Sequence, residues 1–319
     1  MNRINPSIKK VKAFAPATCA NVAVGFDILG FSFDALGDQV TLTKRDDQQI
    51  VIELIDSQNL LPFASDRNTA SVVVQQFCQN LDLEFGFSIA IQKGIPLCSG
   101  MGGSAASAVA ALVACNRFLT QPLTKVELAK YALFGEQVAS GEAHADNVVP
   151  CLFGGLTLIQ SQDLMNIVLL PIPELYCVLL RPHLQIATRD ARAVLRKNLS
   201  LKSHSQQSAN LASFIVSLYE NDYQLMQNSL DDLIIEPQRA KLIPEFYKIK
   251  EAALQAGALG MSLSGSGPAL FALARSQDDA QRISLAMRLT LEKKAIKSDC
   301  WISALNQNAA KVVLEEKIL

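Results

Sequence analysis

The sequence predicts an α+β protein built from two domains. Strand-like and helical segments alternate along the chain, no regular repeat relates them, and 319 residues are enough for about two domains. Hydrophobic residues make up 50% of the chain and charged residues 18%, so enough apolar surface is available for two buried cores. We expect a first domain at residues 1–165 and a second at residues 166–319.

Charge and cysteine content narrow the classes of function. The 29 Lys and Arg residues nearly cancel the 30 Asp and Glu residues, and no dense basic run occurs, so no nucleic-acid partner is expected. The seven cysteines form no C-x-x-C pair, which argues against a disulfide framework and a zinc site. No signal peptide or membrane-length apolar stretch occurs, so we expect no membrane partner and a cytoplasmic enzyme with small-molecule substrates.

Apolar and β-branched runs predict the strands of the first domain at Val11–Ala15, Val40–Lys44, Ile50–Ile55, Phe87–Gln92 and Leu156–Gln160. The polar residues 45–49 predict a β-hairpin between the second and third of these strands. Pro16 predicts a turn after the first strand, and the glycines within residues 21–30 predict a loop. Helical spacing predicts helices at residues 68–80, 104–119 and 124–140, the last with a capping box of Thr124 and Glu127.

The second half of the chain starts a new series of strands and helices. Residues 140–150 predict a second polar loop. The first strand of the new series is predicted at Tyr176–Arg181. Later strands are predicted at Gly260–Ser264 and Ala269–Ala274, and helices at Asp190–Arg196, Ser208–Leu233, Pro244–Gly257 and Asp278–Lys294. The polar residues 197–207 predict a long loop, which is a candidate lid.

The most informative segment is a glycine-rich loop directly before a helix, Pro96-Leu97-Cys98-Ser99-Gly100-Met101-Gly102-Gly103-Ser104-Ala105-Ala106. Glycines let the backbone turn its N–H groups toward an anion, and the helix adds the positive end of its dipole, so we predict a phosphate site. The lysine of a P-loop is absent, and residues 101–126 contain no acid that could bind a dinucleotide ribose. Ser104 offers a hydroxyl for Mg²⁺ or a phosphate oxygen.

A glutamate, Glu136, lies at the end of the apolar stripe of the helix predicted at residues 124–140. The residues that share this face are Val126, Ala129, Leu133 and Glu136. Such a carboxylate lies either at the rim of the core or inside a site, and with Ser104 it would form a hard-oxygen Mg²⁺ site suited to MgATP. By residue type alone, His144 in the next loop is more often a structural hydrogen-bonding residue.

These segments resemble the GHMP kinases, the superfamily of galactokinase, homoserine kinase, mevalonate kinase and phosphomevalonate kinase. Residues 96–106 resemble its P-x-x-x-G-L-G-S-S-A-A nucleotide loop. Residues 17–30, A-T-C-A-N-V-A-V-G-F-D-I-L-G, resemble the N-terminal motif of its homoserine kinase branch. Further segments follow in the order of that branch, at residues 140–150, 188–192, 236–239 and 264–268.

The resemblance implies a fold and an activity. The N-terminal ATP-binding domain would be an α/β sandwich of the ribosomal-protein-S5-domain-2-like type, and the C-terminal domain would be ferredoxin-like. The active site would lie in the cleft between them. The activity would be phosphorylation of the hydroxyl of L-homoserine to O-phospho-L-homoserine in threonine biosynthesis, with ATP and Mg²⁺ bound.

The same resemblance implies roles for individual residues. The loop at 96–106 would hold the triphosphate, while Ser104 and Glu136 would hold Mg²⁺. The residues implied to bind homoserine are Asn21, Asp27, Thr188, Arg192, Arg239 and His144. The first two of these would contact its amino and hydroxyl end, and the two arginines its carboxylate. The residues implied to take part in catalysis are Arg192, Asn147 and Glu136.

The sequence departs from the superfamily pattern at functional positions. Asn147 aligns with the catalytic aspartate of mevalonate-type relatives, and an amide cannot act as a general base. This predicts direct in-line transfer without a dedicated Asp base, supported by positioning and charge stabilisation. Within the nucleotide loop, Gly103 replaces a serine, Cys98 a glycine and Met101 a leucine.

Two other functions stay open from the sequence. One is a related kinase acting on mevalonate, shikimate or a diphosphocytidyl sugar alcohol, and the other is a nucleotide-binding regulatory protein without the chemistry. Asn147 and the pair Arg192 and Arg239 favour an amino-acid substrate. Retention of Ser104, Glu136, Asn21, Asp27 and both arginines argues against loss of the chemistry. The C-terminal helix and Trp301 would suit a possible homodimer contact.

Overall fold

The chain forms two β-sheets with helices packed against them, which confirms the predicted mixture of strands and helices. A computed structural model describes residues 4–57, 61, 63–66, 68–141, 143–163 and 165–317. The strands of the larger sheet are β1 (Ile8–Ala20), β2 (Leu29–Arg45), β3 (Ile50–Asp56), β4 (Gly86–Gln92), β5 (Leu156–Ser161), β6 (Asn166–Leu170) and β11 (Lys311–Lys317). The strands of the smaller sheet are β7 (Tyr176–Pro182), β8 (Gly260–Leu263), β9 (Leu270–Ala274) and β10 (Ser298–Ala304).

The helices follow the predicted positions in the first half of the chain more closely than in the second. Those of the first half are α1 (Thr69–Asn80), α2 (Gly103–Arg117), α3 (Lys125–Ser140) and α4 (Ala145–Phe153). Those of the second half are α5 (Thr188–Ala193), α6 (Leu201–Glu220), α7 (Tyr223–Ser229), α8 (Glu236–Arg239), α9 (Phe246–Gln255) and α10 (Gln277–Glu292). The predicted capping box is present at α3, where Thr124 and Glu127 bond each other's backbone N–H.

The larger sheet contains strands from both sides of the predicted domain boundary. Its order is β11-β1-β2-β4-β3, and β5 pairs with both β2 and β6. β6 and β11 lie after residue 165, yet they pair with β5 and β1. The division of the chain between residues 165 and 166 therefore stays a prediction, and it does not coincide with the division into sheets.

The predicted hairpin between β2 and β3 is wrong. β4 lies between them, antiparallel to β2 and parallel to β3. β4 buries most of its length, whereas β3 buries only Ile52. The more apolar strand takes the interior position, because an interior strand is covered by neighbours, and the more polar strand takes the sheet edge.

The predicted turn at Pro16 is also wrong, because β1 continues through it to Ala20. The pairing with β2 shifts at this point, from Pro16 opposite Gly37 to Ala17 opposite Phe33. Proline has no N–H for the ladder, so a bulge accommodates it without ending the strand. The loop predicted after this strand is present, since no strand or helix covers residues 21–28.

The smaller sheet has the β-α-β-β-α-β order of a ferredoxin-like fold, with strands in the order β10-β7-β9-β8. Its two faces pack on different cores. Leu179 and Phe271 belong to the core shared with the larger sheet, where the Phe271 ring lies 6.1 Å from that of Phe31. Val178 and Ala272, one residue away on each strand, pack in a second core with α9 and α10.

Two predicted loops contain helices. α4 lies largely within residues 140–150, and α6 begins at Leu201 within residues 197–207. The Ser200 side chain caps α6 by accepting the N–H of Ser203 at 3.0 Å. The polar residues at the start of α6 are mostly exposed, so they form the outer face of a helix and not a long loop.

The last part of the chain forms two strands that the sequence analysis does not predict. Trp301, expected at a possible dimer contact, lies on β10 opposite Leu179 and packs against the core shared by the two sheets. Within the described ranges, no helix combines the length and apolar character needed to cross a membrane.

Candidate active site

A cleft of about 610 Å³ lies between the start of α2, the loop after β1, and helices α4 and α5. Most predicted site residues line it, namely Asn21, Asp27, Pro96, Leu97, Cys98, Ser99, Gly100, Gly102, Gly103, Ser104, Glu136, His144, Asn147, Thr188, Arg192 and Arg239. The exceptions are Met101, Ala105 and Ala106, which are fully buried. The volume lies in the range of small-molecule sites.

The glycine-rich loop adopts a backbone that favours glycine. Left-handed conformations occur at Gly100 (φ 76°), Gly102 (φ 66°) and, without the steric freedom of glycine, Cys98 (φ 50°). α2 begins directly afterwards at Gly103, and no side chain caps its first N–H groups. These N–H groups and the positive end of the helix dipole make the start of α2 a place where an anion would bind.

The loop is held from behind by the turn between β8 and β9. The Ser264 hydroxyl donates to the carbonyl of Gly100 at 2.8 Å, and the Ala269 N–H donates to the carbonyl of Ser99 at 3.0 Å. The loop follows β4 of the larger sheet, and the turn joins β8 and β9 of the smaller sheet. The cleft is therefore bounded by both sheets.

Glu136 and Ser104 meet at the inner end of the cleft. Glu136 is only 3% exposed, and its carboxylate is hydrogen-bonded with the Ser104 side chain. Burial raises the pKa of Glu136 to about 7, while the Ser104 hydrogen bond and the charge of Lys93 act in the opposite direction. A hydroxyl and a carboxylate are oxygen ligands that suit Mg²⁺.

The ligand set fits a magnesium ion bound partly by substrate. Among the residues that the structure describes, no group of three or more His, Cys, Asp or Glu side chains could hold a metal by itself. Mg²⁺ commonly takes one or two protein ligands and completes its shell with phosphate oxygens and water. The Ser104 and Glu136 pair beside a phosphate-type loop matches that pattern.

A buried ion pair that sequence reasoning missed supports the start of α2. The Lys93 ammonium pairs with the Asp38 carboxylate and donates to the carbonyl of Gly103 at 2.8 Å and to the Ser107 hydroxyl at 3.0 Å. Asp38 is fully buried and also accepts the N–H of Ile95 at 3.1 Å. Because both charges are paired and hydrogen-bonded, this cluster can hold the loop and helix start in one arrangement.

The loop after β1 places Asn21 and Asp27 together. Both residues have positive φ angles, 73° and 62°. The Asn21 side chain accepts the N–H of Asp27 at 3.1 Å and donates to the carbonyl of Gly265 at 2.9 Å. Asn21 therefore fixes the loop conformation, and the Asp27 carboxylate is left to face the cleft.

Helix α5 carries two cleft residues one turn apart, Thr188 and Arg192. The Arg192 guanidinium donates to both oxygens of Asp27, at 2.9 and 3.1 Å, and lies 3.2 Å from the Nδ1 of His144. The Thr188 hydroxyl lies 3.4 Å from that of Ser266. His144 thus belongs to the cationic side of the cleft, although its residue type alone predicts only a structural role.

Arg239 is a buried cation whose direct partners are neutral. It is 2% exposed, and its guanidinium donates to the carbonyls of Ala191 at 3.1 Å and Gly265 at 3.0 Å. Burial and the nearby charge of Arg192 lower its pKa. The ring of Phe26 lies between the two arginines, 5.2 Å from Arg239 and 5.5 Å from Arg192. Within the described residues Arg239 has no carboxylate in ion-pair range, so an anionic ligand would complete its environment.

Asn147 lines the cleft beside a second buried carboxylate. Its Oδ1 accepts a hydrogen bond from the Thr18 hydroxyl at 2.7 Å, and its Nδ2 lies 3.4 Å from Asp146 Oδ1. Burial raises the pKa of Asp146 to about 7, with the Asp27 charge adding to the effect and the Arg192 charge opposing it. Both Asn147 and Asp146 lie in the first turn of α4, so their positions depend on a helix where the sequence pattern predicts a loop.

Family models match both halves of the chain. The GHMP kinases N terminal domain matches residues 68–155, and the GHMP kinases C terminal matches residues 214–293. Homoserine kinase from Chlorobium phaeobacteroides (strain BS1) is 42% identical over 96% of this chain and 100% of that protein. This chain belongs to the homoserine kinase family. Another relative, homoserine kinase from Xylella fastidiosa (strain M12), is 42% identical over 97% of this chain and 95% of its own.

Solved structures agree with this family. Homoserine kinase from Cytophaga hutchinsonii ATCC 33406 superimposes with a TM-score of 0.93 at 43% identity, covering 96% of this chain and 98% of that one. L. major mevalonate kinase, solved with R-mevalonate, has a TM-score of 0.74 at 18% identity, with 97% and 100% of the two chains covered. At that identity the second likeness concerns the fold alone. The predicted GHMP kinase fold is confirmed.

Several residues in or directly behind the cleft of this homoserine kinase family member carry no strong sequence signal. Lys93 is a single lysine before a glycine, Asp38 lies in the middle of a long strand, and Thr18 stands inside the N-terminal motif without a distinctive pattern. Asp146 stands next to Asn147 in the sequence, but its burial cannot be read from there. Their proximity arises only when β1, β2 and α4 pack together.

Proposed function

We propose that this chain transfers the γ-phosphoryl group of ATP to the hydroxyl of L-homoserine, producing ADP and O-phospho-L-homoserine. Membership of the homoserine kinase family and a full-length relative of 42% identity support this reaction. The observation that carries the substrate assignment is the buried Arg239, whose direct partners are carbonyls while Arg192 beside it is paired with Asp27. A substrate carboxylate is the ligand that this arrangement lacks.

The amino acid would lie between the two charged groups of the cleft. Its carboxylate would bind Arg239 and the neighbouring Arg192, with Thr188 as a further hydrogen-bond donor. Its ammonium group would bind the carboxylate of Asp27, which is 41% exposed at the side chain and therefore accessible. Asn21 would contribute indirectly by fixing the backbone of Asp27. This pattern distinguishes an amino acid from mevalonate or a sugar alcohol, which carry no ammonium group.

The triphosphate would bind along residues 96–106 at the start of α2. The loop residues there line the cleft, and the Lys93 ammonium, paired with Asp38, holds the Gly103 carbonyl at the start of the helix. Ser104 and Glu136 would hold Mg²⁺, which when bound neutralises charge on the β- and γ-phosphates. Glu136 must be ionised for this role, and a cation beside it would favour the ionised form.

The transfer would proceed by direct in-line attack. The homoserine hydroxyl oxygen forms the new bond to the γ-phosphorus as the bond to the β–γ bridging oxygen breaks, and the hydroxyl proton passes to an oxygen of the transferred phosphate. Asn147 lacks basicity, so it would contribute by hydrogen bonding in the cleft and not by accepting the hydroxyl proton. Arg192 would offset charge that develops on the transferring group.

The test is a coupled assay of ADP release with purified protein, ATP and Mg²⁺. L-Homoserine is compared with D-homoserine, L-serine, mevalonate, shikimate and a diphosphocytidyl sugar alcohol, and the product is identified by phosphorus NMR. We expect turnover with L-homoserine to exceed turnover with every other alcohol. Faster turnover of mevalonate or shikimate would contradict the substrate assignment, and ATP binding without turnover of any alcohol would contradict the enzymatic function.

A further inference from the structure

Thr18 makes a buried hydrogen bond to a residue of the cleft without lining the cleft itself. It lies on β1, is fully buried, and donates from Oγ1 to Asn147 Oδ1 at 2.7 Å. The two residues are 129 positions apart in the sequence. Asn147 lines the cleft and Thr18 does not, so any effect of Thr18 on a substrate must pass through another residue.

Contacts on two sides hold the Asn147 carboxamide in place. A carboxamide has an acceptor oxygen on one side and a donor nitrogen on the other. With Oδ1 bound to Thr18, Nδ2 lies on the opposite side, toward Asp146, whose Oδ1 is 3.4 Å away. An amide rotated by half a turn would place its oxygen against an oxygen of Asp146, whereas the Thr18 hydroxyl can donate or accept and so bonds the amide in either orientation.

Thr18 also connects this amide to the nucleotide loop. Its backbone N–H donates to the carbonyl of Met101 at 3.1 Å. A Cβ added to Gly102 would collide with Thr18 Oγ1 and lie 2.8 Å from Asn147 Oδ1. The hydrogen bond therefore lies directly beneath the loop, and the absence of a side chain at Gly102 makes room for it.

We propose that Thr18 is a positioning residue that holds the Asn147 carboxamide against the start of the nucleotide loop, at the wall of the cleft. The inference rests on the proposed kinase function and adds a residue to it. Thr18 contributes no charge and no proton. Its hydroxyl holds the amide and its backbone N–H holds the loop proposed to bind the triphosphate, so the two stay in register.

The test is a double-mutant cycle on the full-length enzyme. Thr18→Val keeps the shape and removes the hydroxyl, Thr18→Ser keeps the hydroxyl, and Asn147→Ala removes the amide. We expect Thr18→Val to lower kcat by about tenfold to a hundredfold, with KM for ATP and for homoserine changed by less than about threefold. Thr18→Ser should restore most of kcat. In the Asn147→Ala background, Thr18→Val should cause no further loss.

A matched control separates positioning from loss of any buried hydroxyl. Thr157 on β5 is also fully buried, donates to the carbonyl of Gly30 at 3.1 Å and does not line the cleft. Thr157→Val should leave kcat within about twofold of the wild-type value. If Thr18→Val does not fold, Thr18→Cys takes its place, because a thiol fills similar space and donates more weakly.

The outcomes separate this inference from the proposed function. Absence of homoserine-dependent ADP release by the wild-type enzyme would overturn the proposed function and the inference with it. In an active enzyme, wild-type kcat in Thr18→Val or Thr18→Cys would overturn the inference alone. The inference would also be overturned if Thr18→Val lowered kcat equally in the wild-type and Asn147→Ala backgrounds, because Thr18 would then act independently of the Asn147 amide.

Discussion

The Arg192 guanidinium binds the Asp27 carboxylate through two hydrogen bonds, 2.9 and 3.1 Å long, across 165 positions of sequence. Helix α5 and the loop after β1 are thereby joined at the cleft. The pair leaves the neighbouring Arg239 without a carboxylate partner among the described residues. The cleft therefore offers a substrate one accessible carboxylate and one unneutralised cation, which are the complements of an amino acid's two charges.

Loss of the Arg192 side chain should reduce turnover strongly. We expect Arg192→Ala to lower kcat about 100- to 1,000-fold without unfolding, because it removes a preorganised charge next to the transferring group. Arg192→Lys should recover little, since one ammonium cannot make the bidentate contact. Steady-state kinetics and a thermal melt check this. Arg282 is an exposed arginine paired with Asp279 on α10, and Arg282→Ala should have wild-type kinetics.

Loss of Arg239 should affect homoserine binding more than ATP binding. We expect Arg239→Met to raise KM for homoserine by about 10- to 100-fold, the range for a hydrogen bond to a charged group. KM for ATP should change by less than about threefold, because the hydrogen bonds of Arg239 go to the carbonyls of Ala191 and Gly265 and not to residues 96–106. An equal rise in both KM values would contradict the assignment of Arg239 to the substrate carboxylate.

Glu136 should link activity to magnesium. We expect Glu136→Ala to lower kcat about 100- to 1,000-fold at saturating ATP. Glu136→Asp should retain part of the activity but need more Mg²⁺, since the shorter side chain keeps the charge and moves the oxygens. A Mg²⁺ titration of each variant measures this. Wild-type turnover by Glu136→Ala at all Mg²⁺ concentrations would contradict the metal assignment.

The stability of the metal-free protein should fall as the pH rises through neutrality. The pKa values of Glu136 and Asp146 are both raised to about 7 by burial. The folded protein then binds protons more tightly than the unfolded chain, so the free energy of unfolding decreases between about pH 4.5 and about pH 7. We expect a lower Tm at about pH 8 than at about pH 6, and a smaller difference in Glu136→Gln.

The control for this pH effect is a glutamate with the opposite shift. The ion pair with Lys248 lowers the pKa of Glu245, so Glu245→Gln should leave the difference in Tm between these pH values unchanged. Addition of Mg²⁺ with a non-hydrolysable ATP analogue should raise Tm most at the higher pH, where the carboxylate of Glu136 is ionised. An unchanged Tm between these pH values in the metal-free protein would show that these carboxylates titrate in their ordinary range, and it would contradict the prediction.

A side chain at Gly102 should disturb the nucleotide loop. A Cβ there would collide with Thr18 Oγ1, and the left-handed backbone adds strain. We expect Gly102→Ala to lose most of its ATP affinity and about 1–3 kcal/mol of stability. Gly257 also has a positive φ, but a Cβ added there would meet no atom within 4 Å, so Gly257→Ala isolates the backbone strain. Fluorescent nucleotide binding and denaturant unfolding give the two quantities.

Local patterns predict the elements that depend on nearby residues. The glycine-rich loop, the capping box at Thr124 and the strands β7, β8 and β9 are recognisable because neighbouring residues produce them. The hairpin prediction fails at β3 because strand partners are chosen by competition within the sheet. The start of α6 reads as a loop because its face is polar, although Ser200 supplies a helix cap.

By itself, the sequence determined the phosphate-type loop, the pair Ser104 and Glu136, and the family, because these follow from short motifs with a physical role. Only the tertiary structure decided which arginine is neutralised and which is not. It also decided that Thr18 is hydrogen-bonded to Asn147 and that Lys93, paired with Asp38, bonds the start of α2. Those relationships depend on burial and on distances between residues far apart in the chain, and charge and hydrogen-bond energies are set by that environment.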